Sequence, residues 1–341
     1  SDADMKFNGN DGGTGITALT LDMSAAGAAT FNGNVGIGVT PAQLLHIKSA
    51  APDIRIEDSD GGYVDLNGAS GNLEIRADQG NAVGSSEISF WVDGGEKAVI
   101  DASGNVGVGV APKSWNSGFT ALEVGNNASL YNESSVATGH TQNAYKKLGA
   151  DWAYMSTNEA SWYEQYNGTH LFKVAPSGTA DAAITWTTAM AIDNSGRVTK
   201  PLQPAFNVNF TGNQNNIPIN DTTTVAWTQE RFDVGSNFAS NTFTAPVTGK
   251  YQLNLLMSFA QMDIDYDFVV LNVLTSNRAY TALMTPNGFD ADPTYWNMAL
   301  SALADMDAGD TASITIQIPN SGAAQMDLLH SYSTFSGYLV A

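Results

Sequence analysis

One stretch of the chain alternates strictly between apolar and polar positions, and this pattern constrains the fold more than any other. Extended backbone carries successive side chains on opposite faces, so a period of two indicates a β-strand with one buried face. The preceding segment contains Pro246, which has a fixed φ, and Gly249, which is free to adopt a positive φ. A strand, a tight turn and a long amphipathic strand predict a β-sandwich. The apolar face consists of Tyr251, Leu253, Leu255, Met257 and Phe259, and the polar face of Gln252, Asn254 and Ser258.

Two motifs around this strand resemble the C1q/TNF-type globular head. The first reads Thr-Phe-Thr-Ala-Pro-Val-x-Gly-x-Tyr over residues 242–251, and the second reads Phe-Ser-Gly-Tyr-Leu over residues 335–339. The resemblance covers residues 203–341. It implies a C-terminal jelly-roll β-sandwich head that works as a homotrimer.

The composition excludes several classes of function. The chain of 341 residues has 14 lysines and arginines against 34 aspartates and glutamates, which gives a formal net charge of −20. Such a surface repels phosphate backbones and anionic bilayers, so we expect neither nucleic-acid binding nor membrane insertion. The absence of cysteine excludes disulfides and thiol catalysis. The abundance of glycine, asparagine, serine and threonine favours a turn-rich, all-β structure.

A glycine-rich motif occurs three times. Residues 31–41 recur as residues 100–112, and a diverged third copy spans residues 192–201. The motif predicts a short strand, a glycine turn and a Gly-x-Gly strand that ends at a proline. Glycine at alternate positions leaves one strand face bare, and we expect the backbone of a partner chain to approach it. The alternative of a phosphate-binding loop is disfavoured because the spacing is wrong and Pro41 blocks the helix that such a loop needs.

Several phrases in residues 1–200 resemble the shaft modules of bacteriophage tail fibres, especially those of marine phages. This resemblance implies an elongated, trimeric, β-rich fibre shaft. Many such fibres end in a self-cleaving intramolecular chaperone, whereas this chain ends with the C1q-like motif, so self-cleavage is not implied. The opening residues, Ser1-Asp2-Ala3-Asp4, indicate a piece of a longer chain. The phrases that carry the resemblance are residues 18–24, 33–38, 101–107, 161–168 and 183–190.

We predict three domains along the chain. Residues 1–112 form the glycine-rich β-repeat shaft, residues 113–200 an aromatic-rich β module of the fibre, and residues 201–341 the C1q-like jelly-roll receptor-binding head. Residues 201–204 are the predicted linker, and residues 205–210 alternate as an edge strand should. The aromatic residues of the middle domain favour a packed core over a sugar-binding platform, because their alternation is that of ordinary strands. They are Trp152, Tyr154, Trp162, Tyr163, Tyr166 and Trp186.

Strand direction in the head predicts where its loops lie. If the first head strand points away from the base of the head, antiparallel pairing makes alternate strands run the same way. Loops 260–267, 284–294 and 319–330, with part of 211–223, then meet at one end, the distal tip. Binding residues usually lie on loops carried by a rigid scaffold, so we predict receptor binding there. The candidates are Asp263, Asp265, Tyr266, Asp267, Asp290, Asp292, Tyr295, Trp296, Asp327 and His330.

Three of these residues also suggest a metal site. Asp263, Asp265 and Asp267 carry the oxygen ligands that calcium prefers, and some C1q-type heads bind calcium near the apex. The run lacks the glycine and the terminal glutamate of an EF-hand loop, so a solvated strand end is the favoured interpretation. Apart from this structural calcium, the sequence predicts no cofactor.

Catalysis finds little support. The four histidines, His46, His140, His170 and His330, are scattered, and neither a Gly-x-Ser-x-Gly nor a His-Glu-x-x-His motif occurs. We therefore expect a non-enzymatic protein: a homotrimeric tail fibre of a phage or phage-derived particle, which acts outside the host cell. Its expected partners are upstream tail or fibre components and a bacterial surface receptor, either a glycan or an outer-membrane protein. The alternatives are a surface-polysaccharide depolymerase, whose carboxylates sequence cannot place, and a secreted or surface-displayed bacterial C1q-like adhesin.

Overall fold

The computed structural model describes residues 3–59, 61–319 and 322–341, so Ser1 and Asp2 lie outside the described residues. Within these ranges the chain is all-β, as predicted, with no α-helix and one short 3₁₀ turn at Pro286–Gly288. No helix in the described ranges is long and apolar enough to span a membrane. The chain divides into two compact units, residues 1–162 with 176–185, and residues 163–175 with 186–341. The predicted domain boundaries, near residues 112 and 200, stay predictions.

Short strands joined by tight turns make up the first unit. They form the sheets β1-β2-β3, β4-β5, β6-β7-β8 and β15-β16, and a ladder in the order β14-β13-β12-β11-β10-β9. The bounds are β1 (Met5–Asp11), β2 (Thr14–Asp22), β3 (Ala28–Phe31), β4 (Val35–Ile37), β5 (Leu45–Ile47), β6 (Asp53–Glu57), β7 (Tyr63–Ala69), β8 (Asn72–Ala77), β9 (Ile88–Val92), β10 (Gly95–Ile100), β11 (Val106–Val108), β12 (Phe119–Val124), β13 (Ala128–Glu133), β14 (Ala137–Gln142), β15 (Ala144–Lys146) and β16 (Trp152–Tyr154).

The space beside Gly36 and Gly107, the first glycine of each Gly-x-Gly pair, is filled by the same chain. A Cβ on Gly36 would overlap the carbonyl oxygen of Val39 and lie 2.9 Å from Cδ of Pro41. Gly107 meets the corresponding valine and proline of the second copy in the same way. In both copies the chain folds back here and returns as a parallel strand, β5 beside β4 and β12 beside β11. The expectation that a partner backbone occupies this space is therefore wrong for these two glycines.

The second and third copies also share one turn. Oδ1 of Asp101 accepts hydrogen bonds from the backbone N–H groups two and four residues further on, at 2.9 and 2.8 Å. Asp193 makes the same pair of bonds at 2.9 and 3.0 Å. Gly104 and Gly196 have φ values of 85° and 82°, which glycine adopts without strain. The repeat is thus a structural turn unit.

Aromatic rings form a core in the first unit. The ring centroids of Trp152 and Trp162 lie 4.4 Å apart, and Trp162 Nε1 donates to the hydroxyl of Tyr131 at 2.8 Å. Burial confirms the core interpretation for Trp152, Tyr154 and Trp162. Of the other predicted aromatic residues, Tyr163 and Trp186 are half-buried and Tyr166 is exposed.

This core encloses a carboxylate. Glu123 is 1% exposed, and its Oε1 accepts hydrogen bonds from Trp115 Nε1 and from the backbone N–H of Lys113, both at 2.7 Å. Burial raises the pKa of Glu123, and these two hydrogen bonds offset part of that rise.

The second unit contains the head. The strands β17 (Asn158–Tyr166) and β18 (Thr169–Gly178) contribute residues to both units, and β18 pairs with β19, which pairs with β20. The remaining strands are β19 (Thr187–Ile192), β20 (Val198–Thr199), β21 (Ala205–Asn209), β22 (Thr222–Thr224), β23 (Gln229–Asp233), β24 (Phe238–Ala239), β25 (Thr242–Thr244), β26 (Gly249–Ala260), β27 (Val269–Thr275), β28 (Ala279–Met284), β29 (Tyr295–Met306), β30 (Thr311–Gln317), β31 (Asp327–Leu328) and β32 (Thr334–Leu339).

Two sheets of the head pack face to face as a jelly-roll sandwich, as predicted. The front sheet has the order β23-β21-β32-β26-β29, and β31 also pairs with β26. The back sheet has the order β24-β25-β30-β27-β28, and β22 pairs with β30. The prediction of an edge strand at residues 205–210 is wrong, because β23 covers the outer side of β21.

The predicted alternation of the long strand is confirmed. All five apolar side chains of its inner face, from Tyr251 to Phe259, are at most 2% exposed. The motif glycines allow close contact around this strand. A Cβ on Gly337 would lie 2.7 Å from the side chains of both Leu253 and Phe206, and one on Gly249 would lie 2.6 Å from the carbonyl oxygen of Ala341. Gly249 does not adopt the positive φ that the sequence suggested.

The first prediction concerns the repeat glycines. Gly107→Ala should lower the free energy of unfolding by roughly 1–3 kcal/mol, because the new methyl group overlaps backbone. Gly33→Ala is the control, since nothing lies within 4 Å of its Cβ position. Urea unfolding, monitored by tryptophan fluorescence, measures the free energy of unfolding of both variants. Equal stability of the two variants would contradict the account.

The second prediction concerns Glu123. A carboxyl group with a raised pKa contributes most to stability below its unfolded pKa, about 4.5, and loses that contribution as pH rises through its folded pKa. Glu123→Gln keeps the Oε1 acceptor without the charge. The variant should match the wild type at pH 4 and exceed its unfolding midpoint at pH 7. If the unfolding midpoints of the wild type and of Glu123→Gln changed in parallel from pH 4 to pH 7, the raised pKa of Glu123 would be refuted.

Candidate functional site

Four loops of the head meet at one end of the sandwich, as predicted from strand direction. We call this end, where β26 ends and β29 begins, the tip. The backbone N–H of Gln261 donates to the carbonyl of Thr294 at 3.3 Å, and that of Gln214 donates to Leu328 at 3.0 Å. The tip loops are residues 210–221, 261–268, 285–294 and 318–333, of which 320 and 321 lie outside the described residues.

Two of the predicted site residues hold the tip together from inside. The carboxylate of Asp263, 8% exposed, accepts hydrogen bonds from the backbone N–H groups of Asp265 at 2.9 Å and Ala323 at 2.6 Å. Tyr266 is fully buried, which raises its pKa, and its hydroxyl donates to the carbonyl of Ala323 at 2.6 Å. Gly322 has a φ of 88°, and a Cβ there would lie 2.7 Å from the Tyr266 ring. These contacts join the loop after β26 to the loop before β31.

The other predicted residues reach the surface. Asp292 is exposed and links two loops, accepting from the Ile264 N–H at 3.0 Å and from Gln325 Nε2 at 3.3 Å. Trp296 is 38% exposed and packs edge-on against Phe289, with ring centroids 5.1 Å apart. No lysine or arginine occurs in the sequence of the four tip loops. The remaining exposed members are Asp265, Asp267, Asp290, Tyr295 and His330, and Asp327 is half-buried.

The calcium hypothesis finds no ligand cluster in the structure. Among the described residues, no group of three or more histidine, aspartate or glutamate side chains is arranged to hold a metal ion. Both carboxylate oxygens of Asp263 already accept backbone N–H groups. Calcium at Asp263, Asp265 and Asp267 stays a prediction.

The sequence did not reveal a cleft that opens beside the tip. Its volume is about 480 Å³, and two predicted residues, Tyr295 and His330, line it. The other polar lining groups include Asn213, Asn297 and Ser258. Ser258 and Asn297 pair across β26 and β29, which the sequence alone could not show because that contact depends on strand register. We call this site the Tyr295–Tyr332 cleft, after the two tyrosines on its rim.

The cleft exists because β26 changes partners along one edge. Leu256 is the last residue of β26 that pairs with β32, and pairing resumes with β31 at Phe259. Between these points the segment 329–333 bulges outward. The hydroxyl of Ser333 replaces the missing backbone partner, accepting from the N–H of Ser258 at 3.0 Å and donating to the carbonyl of Leu329 at 2.8 Å. A bulge of this kind redirects side chains out of the sheet.

Asn213 fixes the outer wall of the cleft. Its Oδ1 accepts hydrogen bonds from the backbone N–H of His330 at 3.0 Å and from His330 Nδ1 at 2.9 Å. Because Oδ1 can only accept, the Nδ1 atom carries a proton, and in the neutral ring Nε2 accepts from the Ser331 hydroxyl at 3.1 Å. The imidazole is therefore held in one orientation.

Comparison with known proteins finds similarity only among solved structures. The chain matches no protein-family model and no curated protein. It is similar to the globular domain of zebrafish complement 1qA, with 16% identity and a TM-score of 0.32, over 41% of this chain and 98% of that one. It is also similar to murine APRIL in crystal structures at pH 8.0 and 8.5, each with 14% identity and a TM-score of 0.30, over 40% of this chain and 99% of the other.

Proposed function

We propose that the chain is a homotrimeric tail fibre protein of a phage or phage-derived particle. Its head adheres to a receptor on the surface of a bacterial host, a glycan or an outer-membrane protein. Adhesion is binding without chemistry, and the tip of the head is the contacting surface. The proposal rests on two features, an apolar surface that a single chain leaves uncovered and the grouping of exposed loops at the tip.

The observation that carries the proposal is the sheet β6-β7-β8. Six aliphatic side chains on one face are 41–74% exposed. The opposite face is charged and better buried: Asp65 is 3% exposed and forms a bidentate ion pair with Arg55 at 3.0 and 3.1 Å. An antiparallel sheet in a soluble monomer normally buries its apolar face, so a further copy of the chain is the natural cover. The aliphatic residues are Ile54, Ile56, Val64, Leu66, Leu73 and Ile75.

The head also has one face suited to contact between copies. Leu256, Leu303 and Tyr338 point outward from the front sheet and are 40%, 57% and 49% exposed. The outward face of the back sheet exposes two leucines, Leu274 at 42% and Leu283 at 59%, beside hydrogen bonds that link Asn272 to Thr281 and Thr315. We assign the contact between heads to the half of the front sheet nearer the base, where Gln252 pairs with both Leu303 and Tyr338 and which leaves the tip uncovered. Three copies would present three acidic, aromatic tips, which raises effective affinity even where each contact is weak.

The third prediction tests assembly. In a monomer, replacing exposed leucines with aspartate changes stability by at most about 0.5 kcal/mol. In the proposed trimer, Leu73→Asp and Leu303→Asp bury a charge between copies and should dissociate it. Leu283→Asp, a leucine 59% exposed on the back sheet, is the matched control. Sedimentation velocity should give three times the chain mass of 35.9 kDa for the wild type and the control. A monomeric wild type would refute the proposal.

The fourth prediction tests the tip. The double variant Asp265→Ala/Trp296→Ala removes an exposed carboxylate and an exposed ring and should abolish adsorption to host bacteria while the trimer persists. Asp307→Ala, an exposed aspartate at the opposite end of the head, should adsorb normally. Fluorescently labelled protein is incubated with candidate bacteria that have or lack surface polysaccharide. Undiminished adsorption of the double variant would show that the contact lies elsewhere.

A further inference from the structure

We propose that the Tyr295–Tyr332 cleft binds one neutral pyranose unit of a bacterial surface polysaccharide. This inference deepens the proposed function and rests on it, since it names the ligand class and the contacting residues of the receptor site. Three features carry it: a rigid wall, polar groups that the protein leaves unpaired, and exposed aromatic rings without charged neighbours.

The wall of the cleft is fixed before any ligand binds. Ser258, 1% exposed, forms its floor and contacts Asn297 Oδ1 at 2.5 Å and the carbonyl of Tyr332 at 3.3 Å. Asn213 holds His330 from the other side, at 2.9 Å from Nδ1. A site held in this way loses little conformational entropy on binding, which favours affinity for small polar ligands.

Several polar groups around the cleft remain available to a ligand. Oδ1 of Asn213 takes both hydrogen bonds from His330, and Nδ2 of Asn213 has no hydrogen-bond partner among the described residues. Oδ1 of Asn297 accepts a hydrogen bond from the Ser258 hydroxyl, and Nδ2 of Asn297 has no hydrogen-bond partner among the described residues. The hydroxyls of Tyr295 and Tyr332 likewise have no partner there. Amide and hydroxyl groups, which both donate and accept, match the hydroxyls of a sugar.

The rim supplies apolar contact. Tyr295 is 70% exposed and Tyr332 is 66% exposed, although large aromatic rings are usually buried at least in part. A pyranose has an apolar face of C–H groups that can lie against such a ring, while the ring hydroxyl stays in water. The volume of about 480 Å³ falls in the range of small-ligand sites, roughly 300–1,000 Å³.

Charge selects among sugars. No lysine, arginine, aspartate or glutamate belongs to the lining of the cleft within the described residues. The tip loops carry several aspartates and neither lysine nor arginine, so an anionic sugar would gain no ion pair with either residue type and would be repelled by the aspartates. A sugar acid or a phosphorylated sugar is therefore disfavoured, and a neutral pyranose fits.

The test uses the purified full chain and saturation-transfer NMR. The probes are the methyl glycosides of glucose, galactose, mannose and N-acetylglucosamine, with N-acetylneuraminic acid as the anionic comparison. At least one neutral glycoside should receive saturation, and the anionic sugar should not. Saturation of the anionic sugar alone, or of no probe, would overturn the proposal.

Tyrosine variants test whether the glycoside binds in the Tyr295–Tyr332 cleft. Tyr295→Ala and Tyr332→Ala should each weaken binding at least tenfold, whereas Tyr295→Phe, which keeps the ring, should weaken it less than threefold. Tyr166→Ala, an exposed tyrosine outside the head, is the matched control and should bind as the wild type does. Equal binding by the double variant Tyr295→Ala/Tyr332→Ala would overturn the assignment.

Two further readouts separate this inference from the proposed function. If the double variant sediments as a monomer while the wild type is a trimer, the tyrosines belong to the contact between copies and the cleft proposal fails. If the wild type and the double variant adsorb equally to bacteria, the adhesive function stands and the cleft is not its site. If the wild type adsorbs to no bacterium tested but binds a glycoside through the two tyrosines, the cleft stands and the tail-fibre proposal fails.

Discussion

The head depends on the pairing of its longest strand. Along one edge, all twelve residues of β26 pair with β29, which joins the base of the sandwich to the tip without interruption. Along the other edge, β26 pairs first with β32 and then with β31. The continuous ladder fixes the core, and the break in the second ladder produces the bulge that walls the Tyr295–Tyr332 cleft. A rigid scaffold and an irregular surface site thus come from the same strand, because one of its edges is regular and the other is not.

Some motif glycines are explained by close contact and others by backbone freedom, as at Gly104 and Gly196. Gly107, Gly249 and Gly337 occupy positions where a Cβ would strike backbone or buried side chains, and none of the three has a positive φ. A pattern such as Gly-x-Gly shows only that side chains are missing. Whether a partner chain, a ligand or the same chain fills the space depends on the fold around it. At Gly36 and Gly107, the chain itself fills the space.

The sequence predicts two kinds of feature: those set by apolar–polar alternation along a strand, and those set by the alternating direction of successive antiparallel strands. Both are short-range rules, so the inner face of β26 and the grouping of the tip loops follow from them. The roles of Asp263 and Tyr266 could not be predicted, because loop residues have no periodicity that shows which side chains turn inward. The contact of Ser258 with Asn297, 39 residues away, depends on strand register, and the sequence does not specify that register.

The sheet β6-β7-β8 in the first unit has an exposed apolar face whose stability needs an explanation. Three strands with one apolar face are stable only when that face packs on something, and the described part of the same chain leaves it largely in water. The other face of the sheet carries the Arg55–Asp65 ion pair, with the Arg55 guanidinium 3.7 Å from the centre of the Tyr63 ring. In the assembly proposed above, the apolar cover of this face comes from other copies of the chain. Around a three-fold axis, the same six aliphatic residues of the other two copies would face it, and a strongly acidic chain could associate with itself there because the face carries no charge.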